Sequence, residues 1–476
     1  MDASTLLKDA AEIFGWALVP VILVTALFFT IRLRFVQVFR FREAIRETIK
    51  SRQSGGDGAL SPLQAFMTAI AATVGTGNVV GVATAIVSGG PGALFWIWVY
   101  GFLAMSTKFA EASLGMHFRV AHGDDVLSGP MYYLRDGLKS GFGRFLAGLF
   151  AVLGGCGVLF TTPMTQPNSV ANSLAGQLAE HQIGTGSVQF GESSIDGAFI
   201  TKFAIGVVLA ILTWLVIVHG IKSIGRAAEK LSPLKVGFYM IGALIVIGTH
   251  ISNLPHVLAM VFHDAFSTHA ATGGAVGLTM MRAINLGIRR GVYANEAGYG
   301  TAAVAYGTAR SQRPDQQGLA AMMDVFIITF ITCTLSALAV LLTGVWTTAA
   351  DGAVAVPEAF NKAMPSIGGW MVTISIMLFA YTVLIGWAFY GEQFFEYLFG
   401  PRIIKPFRWV YCLLIPLGSV IKVESAWNWG DICNGLQVFP NVIGLIALSG
   451  IAAAYARAHL NPDAISPPLP ASSLEE

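Results

Sequence analysis

The stretch that decides the fold is TAIAATVGTGNVVGVATAI, at residues 68–86. It is as long and as apolar as a membrane-spanning helix, which needs about 20 such residues. Two glycines and an asparagine interrupt it near the middle, in the order Gly75-Thr76-Gly77-Asn78. In lipid, such an interruption is tolerated only where the opened backbone is buried in protein or lines a cavity. The stretch therefore predicts a broken membrane helix whose break approaches a ligand.

A second apolar stretch carries a similar interruption in the other half of the chain, with the sequence Gly273-Gly274-Ala275-Val276-Gly277. Paired glycine-interrupted spans, one in each half, are typical of secondary transporters, in which they mark the substrate site. The alternative is that these glycines only let neighbouring helices pack closely. Two interruptions in corresponding positions favour the binding-site interpretation.

The composition excludes a water-soluble globular protein. Of the 476 residues, 54% are hydrophobic and only 12% are charged, whereas soluble domains average about 25% charged residues. The chain is therefore predicted to lie in a lipid bilayer. Its formal net charge of +2 gives no indication of nucleic-acid binding. The sequence also lacks CxxC and HExxH motifs, so it predicts neither a metal cofactor nor a redox site.

Mostly apolar runs predict the membrane spans. There are eleven, at residues 14–32, 62–88, 92–117, 144–178, 200–218, 234–250, 255–286, 319–346, 370–391, 407–423 and 431–455. Lys and Arg concentrate in alternate connections, which places those connections in the cytoplasm. The N-terminus is then outside and the C-terminus inside. The basic connections lie at 32–52, 119–144, 222–235, 289–313, 402–408 and 457.

The spans form two sets of five once the first is set aside. Each set opens with a glycine-broken span, and the odd number makes the second set enter the membrane from the opposite side. We therefore predict an all-α polytopic membrane protein of about 11 transmembrane helices, built as a 5+5 inverted repeat plus one extra N-terminal helix. The predicted divisions are 1–60 for the extra helix and basic loop, 61–250 and 251–457 for the repeats, and 458–476 for a disordered tail.

A broken helix exposes two kinds of backbone group. Free N–H groups at one half-helix attract a carboxylate, and free carbonyls at the other attract a cation. The N–H groups near Thr76 and Gly77 are thus candidates for a substrate carboxylate. Na⁺ is a hard cation that favours oxygen ligands. Its predicted ligands are the carbonyls of Ala71, Thr73 and Val74, with the amide oxygen of Asn78.

Polar residues in the fourth span are further candidates. Gln166 and Asn168 lie in the sequence TTPMTQPN, which is costly to expose to lipid. Their amides can accept from an ammonium and donate to a carboxylate. The alternative is hydrogen bonding between helices without ligand contact.

The ninth span, FAYTVLIGW, offers two more candidates. The hydroxyl and carbonyl oxygens of Thr382 suit a cation, and Trp387 could form the wall of an apolar pocket. The alternative for Thr382 is a bond to a carbonyl of its own helix. Deep charges are scarce, which suits a zwitterionic substrate better than a proton relay built on carboxylates.

A dense mixture of charge, glycine and aromatic residues follows the seventh span, at residues 289–301. We interpret this segment as an inner gate or a re-entrant packing element, with Arg290 and Glu296 as a potential ion pair. A plain structured loop is the alternative.

The chain resembles the alanine or glycine:cation symporter family in long stretches spread over nearly its whole length. They are AATVGTGNVVGVATAIVSGGPGALFWIW (71–98), AMSTKFAEASLGMHFR (104–119), RRGVYANEAGYGTAAVA (289–305), FAYTVLIGWAFYGE (379–392) and GDICNGLQVFPNVIGL (430–445). The resemblance implies the inverted-repeat fold of neurotransmitter:sodium symporters with one extra N-terminal helix. It also implies transport of small neutral amino acids with Na⁺ or, in some members, H⁺.

The resemblance assigns roles to individual residues. It implies that Thr76, Gly77, Gln166 and Asn168 approach the substrate, that Ala71 and Val74 offer carbonyls to the cation, and that Gly273 and Gly274 belong to the second broken helix. One departure stands out, because the family usually has two hydroxyl residues where this chain has Thr382-Val383. Val383 removes one oxygen from the substrate site or from the cation shell.

These observations together predict a symporter of the bacterial inner membrane that couples uptake of an alanine- or glycine-type amino acid to Na⁺ by alternating access. It is predicted not to be an enzyme and to need no cofactor besides the coupling ion. A monomer is the simplest assembly that the sequence allows. The alternatives are a carrier of the same fold with a changed substrate or H⁺ coupling, and an ion channel, for which the sequence offers no filter repeat.

Overall fold

The structure, a computed structural model, describes residues 3–50, 58–122, 125–180, 182–184, 186–190, 193–266, 276–421 and 424–457. These residues are mostly helical. The first half contains α1 (Ala3–Arg32), α2 (Val36–Phe39), α3 (Phe41–Lys50), α4 (Pro62–Thr73), α5 (Val80–Gly89), α6 (Gly92–His117), α7 (Pro130–Tyr132), α8 (Gly141–Phe160), α9 (Thr162–Glu180), α10 (Gly197–Ile217) and α11 (Ile221–Thr249). Two short hairpins join strands β1 (Val120–His122) to β2 (Asp125–Leu127), and β3 (Ser187–Phe190) to β4 (Ser193–Asp196).

The second half is also helical. It contains α12 (Leu254–Phe266), α13 (Val276–Asn295), α14 (Thr301–Gly307), α15 (Pro314–Phe326), α16 (Thr334–Leu342), α17 (Gly352–Ala363), α18 (Gly368–Phe399), α19 (Ile404–Val420), α20 (Glu424–Ala447) and α21 (Ser449–Ala456). A π-helical segment, Ile327–Cys333, joins α15 to α16, and a second one, Tyr133–Gly137, follows α7. Short 3₁₀ turns lie at Thr76–Asn78, Ile251–Asn253, Val345–Thr347 and Pro401–Ile403.

Within the described residues, eight helical segments are long and apolar enough to cross a membrane without a sharp bend. They are α1, α6, α8 with α9, α10, α11, α15 with α16, α18, and α19 with its preceding turn. Two more segments pass the same test as bent pairs, α4 with α5 and α20 with α21, each bent by 65°. These ten correspond to ten of the eleven predicted spans.

The remaining predicted span falls in the region of α13 and α14, which together follow α6 along its length. A Cβ added at Gly287 would lie 2.6 Å from the Ala93 carbonyl oxygen, near the start of α6. A Cβ added at Gly115, near the end of α6, would lie 2.5 Å from Ala303 Cα in α14. Residues 276–307 therefore lie beside α6, further along the chain than the predicted seventh span. That span, 255–286, includes residues 267–275, which lie outside the described part of the chain, so its bounds stay a prediction. The shorter helix α12 packs near the first turns of α6.

This shift also moves basic residues out of the predicted loops. Arg289 and Arg290 lie in α13, and Lys235 is fully buried in α11. The helix α11 begins at Ile221, directly after Gly220 at φ 73°, and continues through Pro233. It thus begins 13 residues before the predicted span 234–250. The sequence analysis counted Lys235 as the last residue of the basic connection 222–235.

Other predicted basic connections meet at one end of the molecule, here called the basic end. Arg40 donates to the Tyr455 carbonyl at 3.0 Å and pairs with Asp315 at 3.1 Å. Arg119 donates to the Ala309 carbonyl at 2.7 Å. Segments far apart in the chain are thus joined by buried arginines at the same end, which agrees with the alternation seen in the sequence.

Candidate functional site

The first helix break lies where the sequence predicts it. A capping box at Ser61 and Gln64 starts α4, which ends at Thr73. The chain then opens through Val74 and Gly75 into the 3₁₀ turn before α5. Asn78 holds this geometry, because its Oδ1 accepts from the Gly75 N–H at 2.8 Å. Its Nδ2 donates to the Ala294 carbonyl at 3.1 Å, which ties the break to α13.

A second helix break lies beside the first one. It separates α13 from α14, at residues 296–300. Glu296, Gly298 and Gly300 have positive φ angles of 55°, 97° and 82°, so the helix cannot continue through them. The segment is buried and lies beside the first break, since a Cβ on Gly77 would come within 2.6 Å of Tyr293 Cε1. Its sequence, NEAGYG, signals a break through its glycines. The sequence alone indicates an inner gate or a re-entrant packing element here, with a plain loop as the alternative.

The predicted second break was placed elsewhere, at Gly273 and Gly274. These two residues lie outside the described part of the chain, so their predicted contact with substrate stays a prediction.

The second break is closed by charged side chains of α6. Lys108 Nζ donates to the Asn295 carbonyl at 2.5 Å, at the C-terminal end of α13. Glu111 Oε1 accepts from the N–H groups of Gly298 and Gly300, at 2.8 Å and 3.2 Å. A cation thus meets the carbonyl end and an anion meets the amide end, as the helix dipole favours.

A small cavity of about 30 Å³ lies between the two breaks. One buried water needs about 10–15 Å³ by this measure, so the cavity has room for about two. It brings together most of the predicted substrate residues with several that the sequence did not single out. The lining residues are Ala72, Thr73, Gly75, Gly77, Asn78, Thr161, Thr162, Thr165, Gln166, Tyr293, Glu296, Tyr299, Val383, Trp387 and Asn434.

Polar contacts around this cavity join Thr76 to Gln166, and Trp387 to a carboxylate. Thr76 Oγ1 donates to Gln166 Oε1 at 3.3 Å. Trp387 Nε1 donates to Glu296 Oε1 at 3.2 Å, and Thr301 Oγ1 donates to Glu296 Oε2 at 2.7 Å. Glu296 is therefore a buried acid that lines the candidate site. The sequence analysis considered it only as a partner for Arg290.

A larger cavity of about 510 Å³ shares Gly77 with the small one, and we call it the vestibule. Thr76, Asn168 and Arg290 are among its lining residues. Asn168 Nδ2 donates to the carbonyls of Gly418 and Ile421, at 3.2 Å and 2.9 Å. The predicted substrate residue Asn168 thus faces the vestibule, and its N–H groups bond to α19 and Ile421, as the helix-packing alternative expected.

The predicted cation ligands come together around an ammonium group. Lys235 Nζ lies 3.1 Å from the Ala71 carbonyl oxygen, 2.6 Å from that of Val74 and 2.6 Å from Thr382 Oγ1. The carbonyl oxygen of Ile70 lies 3.1 Å away. Three of the predicted Na⁺ ligands, Ala71, Val74 and Thr382, therefore lie together, but they surround Lys235, which the sequence analysis had assigned to a loop.

The other two predicted Na⁺ ligands are the Thr73 carbonyl oxygen and Asn78 Oδ1. Asn78 Oδ1 accepts from the Gly75 N–H. The Thr73 hydroxyl donates to the Ala69 carbonyl within its own helix, and the role predicted for the Thr73 carbonyl stays a prediction. A Na⁺ ion among the remaining oxygens would lie within about 4 Å of the Lys235 ammonium. Two like charges at that distance repel by about 4 kcal/mol at an effective dielectric constant of about 20. With Lys235 in place, this set of oxygens does not fit Na⁺.

Residues 3–463 match the Sodium:alanine symporter family. The chain belongs to this family. It is 36% identical to the sodium/alanine symporter AgcS of Methanococcus maripaludis, over 94% of this chain and 95% of that protein. It is 32% identical to the probable sodium/glutamine symporter GlnT of Bacillus subtilis, over 91% of this chain and 86% of that protein.

The structure of another transporter supports the fold that the sequence predicts. A manganese transporter of Eremococcus coleocola superposes with a TM-score of 0.51 at 15% identity, over 86% of this chain and 81% of that one. The resemblance found in the sequence is thus confirmed, and so is the all-α fold of inverted five-helix repeats with an extra N-terminal helix. The chain is a multi-pass membrane protein of a transporter family.

Proposed function

We propose that this protein is a secondary carrier that moves a small neutral amino acid across the membrane by alternating access. One observation supports this most directly. The cavity between the breaks has the amide end of a half-helix on one side and the buried Glu296 carboxylate on the other. A zwitterion carries the two opposite charges that these groups would meet.

In the proposed binding mode, the substrate carboxylate lies at the N–H groups of Thr76 and Gly77. The first N–H groups of a half-helix have no carbonyl within the helix to bond to, so they are available to an anion. The substrate ammonium lies near Glu296. Val383 and Trp387 form the wall against the side chain, and the narrow cavity favours a small one.

The vestibule and the second break support an alternating-access cycle. The vestibule reaches the small cavity at Gly77 from the side opposite the basic end. On the other side, Asn441 Nδ2 donates to Glu111 Oε1 at 2.8 Å and to the Gly298 carbonyl at 2.7 Å. Gln437 Nε2 donates to the Tyr299 carbonyl at 2.7 Å. The proposed inward transition loosens these contacts while the vestibule closes.

The proposed location is the bacterial inner membrane, with the N-terminus in the periplasm and the C-terminus in the cytoplasm. The basic end then faces the cytoplasm, as the positive-inside rule requires, and the vestibule faces the periplasm. We propose that the carrier acts as a monomer.

A carrier of the same fold with a changed substrate is the second candidate. A relative named as a probable sodium/glutamine symporter belongs to the matched proteins, and Val383 stands where the family resemblance implies a hydroxyl residue. This second candidate differs from the first only in the size and polarity of the side chain of the transported amino acid.

The test is uptake of radiolabelled L-alanine, D-alanine and glycine into proteoliposomes. We expect saturable uptake of at least one, and a loss of about 10-fold or more for Gln166→Ala, which removes the partner of Thr76. The exposed Asn253→Ala is the matched control and should transport normally. Absence of saturable uptake of all three by correctly inserted protein would contradict the proposal, and glutamine uptake would then identify the second candidate.

A further inference from the structure

We propose that the ammonium group of Lys235 is the resident cation at the carbonyl end of α4 and takes the place of a Na⁺ ion there. The inference deepens the proposed function, on which it rests for the role of this site in transport. It contradicts the Na⁺ coordination that the sequence predicted for the same oxygens.

The contacts of Lys235 are those of a bound cation. Its Nζ has four oxygen neighbours at 2.6–3.1 Å, three of them backbone carbonyls at the end of α4 and one the hydroxyl of Thr382. A lysine ammonium has donors and no acceptor, so every one of these oxygens must accept. Carbonyls at a helix C-terminus carry partial negative charge and stabilise a cation.

The hydroxyl of Thr382 is oriented to accept. Its own hydrogen is directed to the Phe379 carbonyl oxygen, 2.9 Å away. The lone pairs therefore remain for Lys235 Nζ at 2.6 Å. The Phe379 ring adds a further favourable contact, because its centroid lies 5.7 Å from the same nitrogen.

Because Lys235 is buried, its ammonium group needs polar neighbours in place of water. Lys235 is fully buried, and an isolated buried charge is costly unless polar groups replace its water shell. Among the ion pairs of the described residues, none includes Lys235. Asp324, which lies 3.8 Å from Lys108 Nζ, attracts the Lys235 ammonium from beyond ion-pair distance. The α4 carbonyls and Thr382 therefore supply the solvation that Lys235 needs, and they use the same lone pairs that Na⁺ would need.

A tethered cation changes the cycle at this site. A free ion can join α4 to α18 in one conformation and leave in another. Lys235 is covalently part of α11, so it joins α4, α11 and α18 without an ion having to bind. Na⁺ binding and release at these oxygens is consequently not a step of transport in this protein.

The experiment is equilibrium binding of ²²Na⁺ to purified protein in the absence of amino acid. Lys235→Ala removes the ammonium and leaves space, so we expect it to bind one more Na⁺ per chain than the wild type. The added Thr382→Ala substitution should abolish that extra ion. The exposed Lys230→Ala on the same helix is the matched control and should bind as the wild type does.

Two results would overturn the inference. One is a folded Lys235→Ala variant that gains no Na⁺. The other is Na⁺ binding by the wild type that Thr382→Ala abolishes, because the oxygens would then bind Na⁺ despite the lysine. The second comparison needs no Lys235 variant, so it remains decisive if Lys235→Ala fails to fold. Because no amino acid is present, failure of the proposed transport function would appear only in the uptake assay.

Discussion

The two helix breaks at the centre of the molecule are completed in different ways. In the second break, α6 supplies both charges: Lys108 meets the carbonyl of Asn295, and Glu111 meets the N–H groups of Gly298 and Gly300. In the first break, Lys235 meets only the carbonyl end. The amide end, at Thr76 and Gly77, faces the cavity and the vestibule.

This difference indicates that the second break has a structural role, whereas the first break can bind a ligand through its backbone. Opened helix ends must be satisfied inside a membrane protein, since no water is available in the hydrocarbon region. Where the protein satisfies both helix ends itself, no backbone group at the break remains for a ligand, although a side chain such as Glu296 can still face one. The amide end of the first break is therefore the position at which an anion contributes most, which agrees with a substrate carboxylate there.

The largest loss of transport should follow from blocking that amide end with Gly77→Ala. The new Cβ would lie 2.6 Å from Tyr293 Cε1, so the two breaks would have to separate. Overpacking of this kind costs about 1–3 kcal/mol, and we expect uptake to fall about 100-fold. In the control Gly81→Ala, the nearest atom, Arg290 Cδ, would be 3.6 Å away. Equal uptake by both variants in proteoliposomes would refute the assignment of the amide end.

The second prediction concerns the break between α13 and α14. Lys108→Met removes the cation at the carbonyl end of that break. This change leaves the carbonyl of Asn295 and the carboxylate of Asp324 without their cation. Removal of one partner of a buried pair costs about 3–5 kcal/mol, so the melting temperature in detergent should fall clearly. Lys222→Met, at an exposed position of α11, should melt as the wild type does. An unchanged melting temperature for Lys108→Met would show that the second break does not depend on this charge.

A smaller effect is expected from Glu296→Gln, which removes the charge of the cavity carboxylate and keeps an acceptor for Trp387. Hydrogen bonds to charged groups contribute about 1.5–3 kcal/mol. The KM for the amino acid should therefore rise about 10- to 100-fold, with little change in melting temperature. Glu358→Gln, at an exposed position in α17, is the control. An unaltered KM would place the substrate ammonium elsewhere.

The smallest effect should come from Val383→Ala, which widens the wall opposite Gly75. A Cβ on Gly75 would already lie 2.8 Å from Val383 Cγ2, so this wall is tight. Uptake of 2-aminobutyrate relative to alanine should rise about 5-fold, below the usual discrimination for one methylene. Val208→Ala, exposed on α10, should leave the ratio unchanged. A ratio that does not rise would show that Val383 is not part of the side-chain wall.

The chain's own pattern determined the fold class and the position of the first break. Apolar runs of membrane length could form only helices, because a lipid-exposed backbone must satisfy its own hydrogen bonds. Glycines at 75 and 77 marked the break, and the carbonyl oxygens of Ala71 and Val74 were expected together at one helix end, where they lie. These inferences succeeded because each depends on residues that are close in sequence or on their average composition.

Only the tertiary structure decided what those groups contact. The second break lies at Glu296 to Gly300, where the charges in α13 had masked a membrane helix in the hydropathy pattern. Lys235 appeared to be a loop residue because it follows Lys222, Arg226 and Lys230 in a run of basic residues. Its burial depends on α4 and α18, which are distant in sequence and bring carbonyl and hydroxyl oxygens around its ammonium. Solvation of a buried charge is a property of its neighbours in space, and for that reason the sequence pattern could not reveal it.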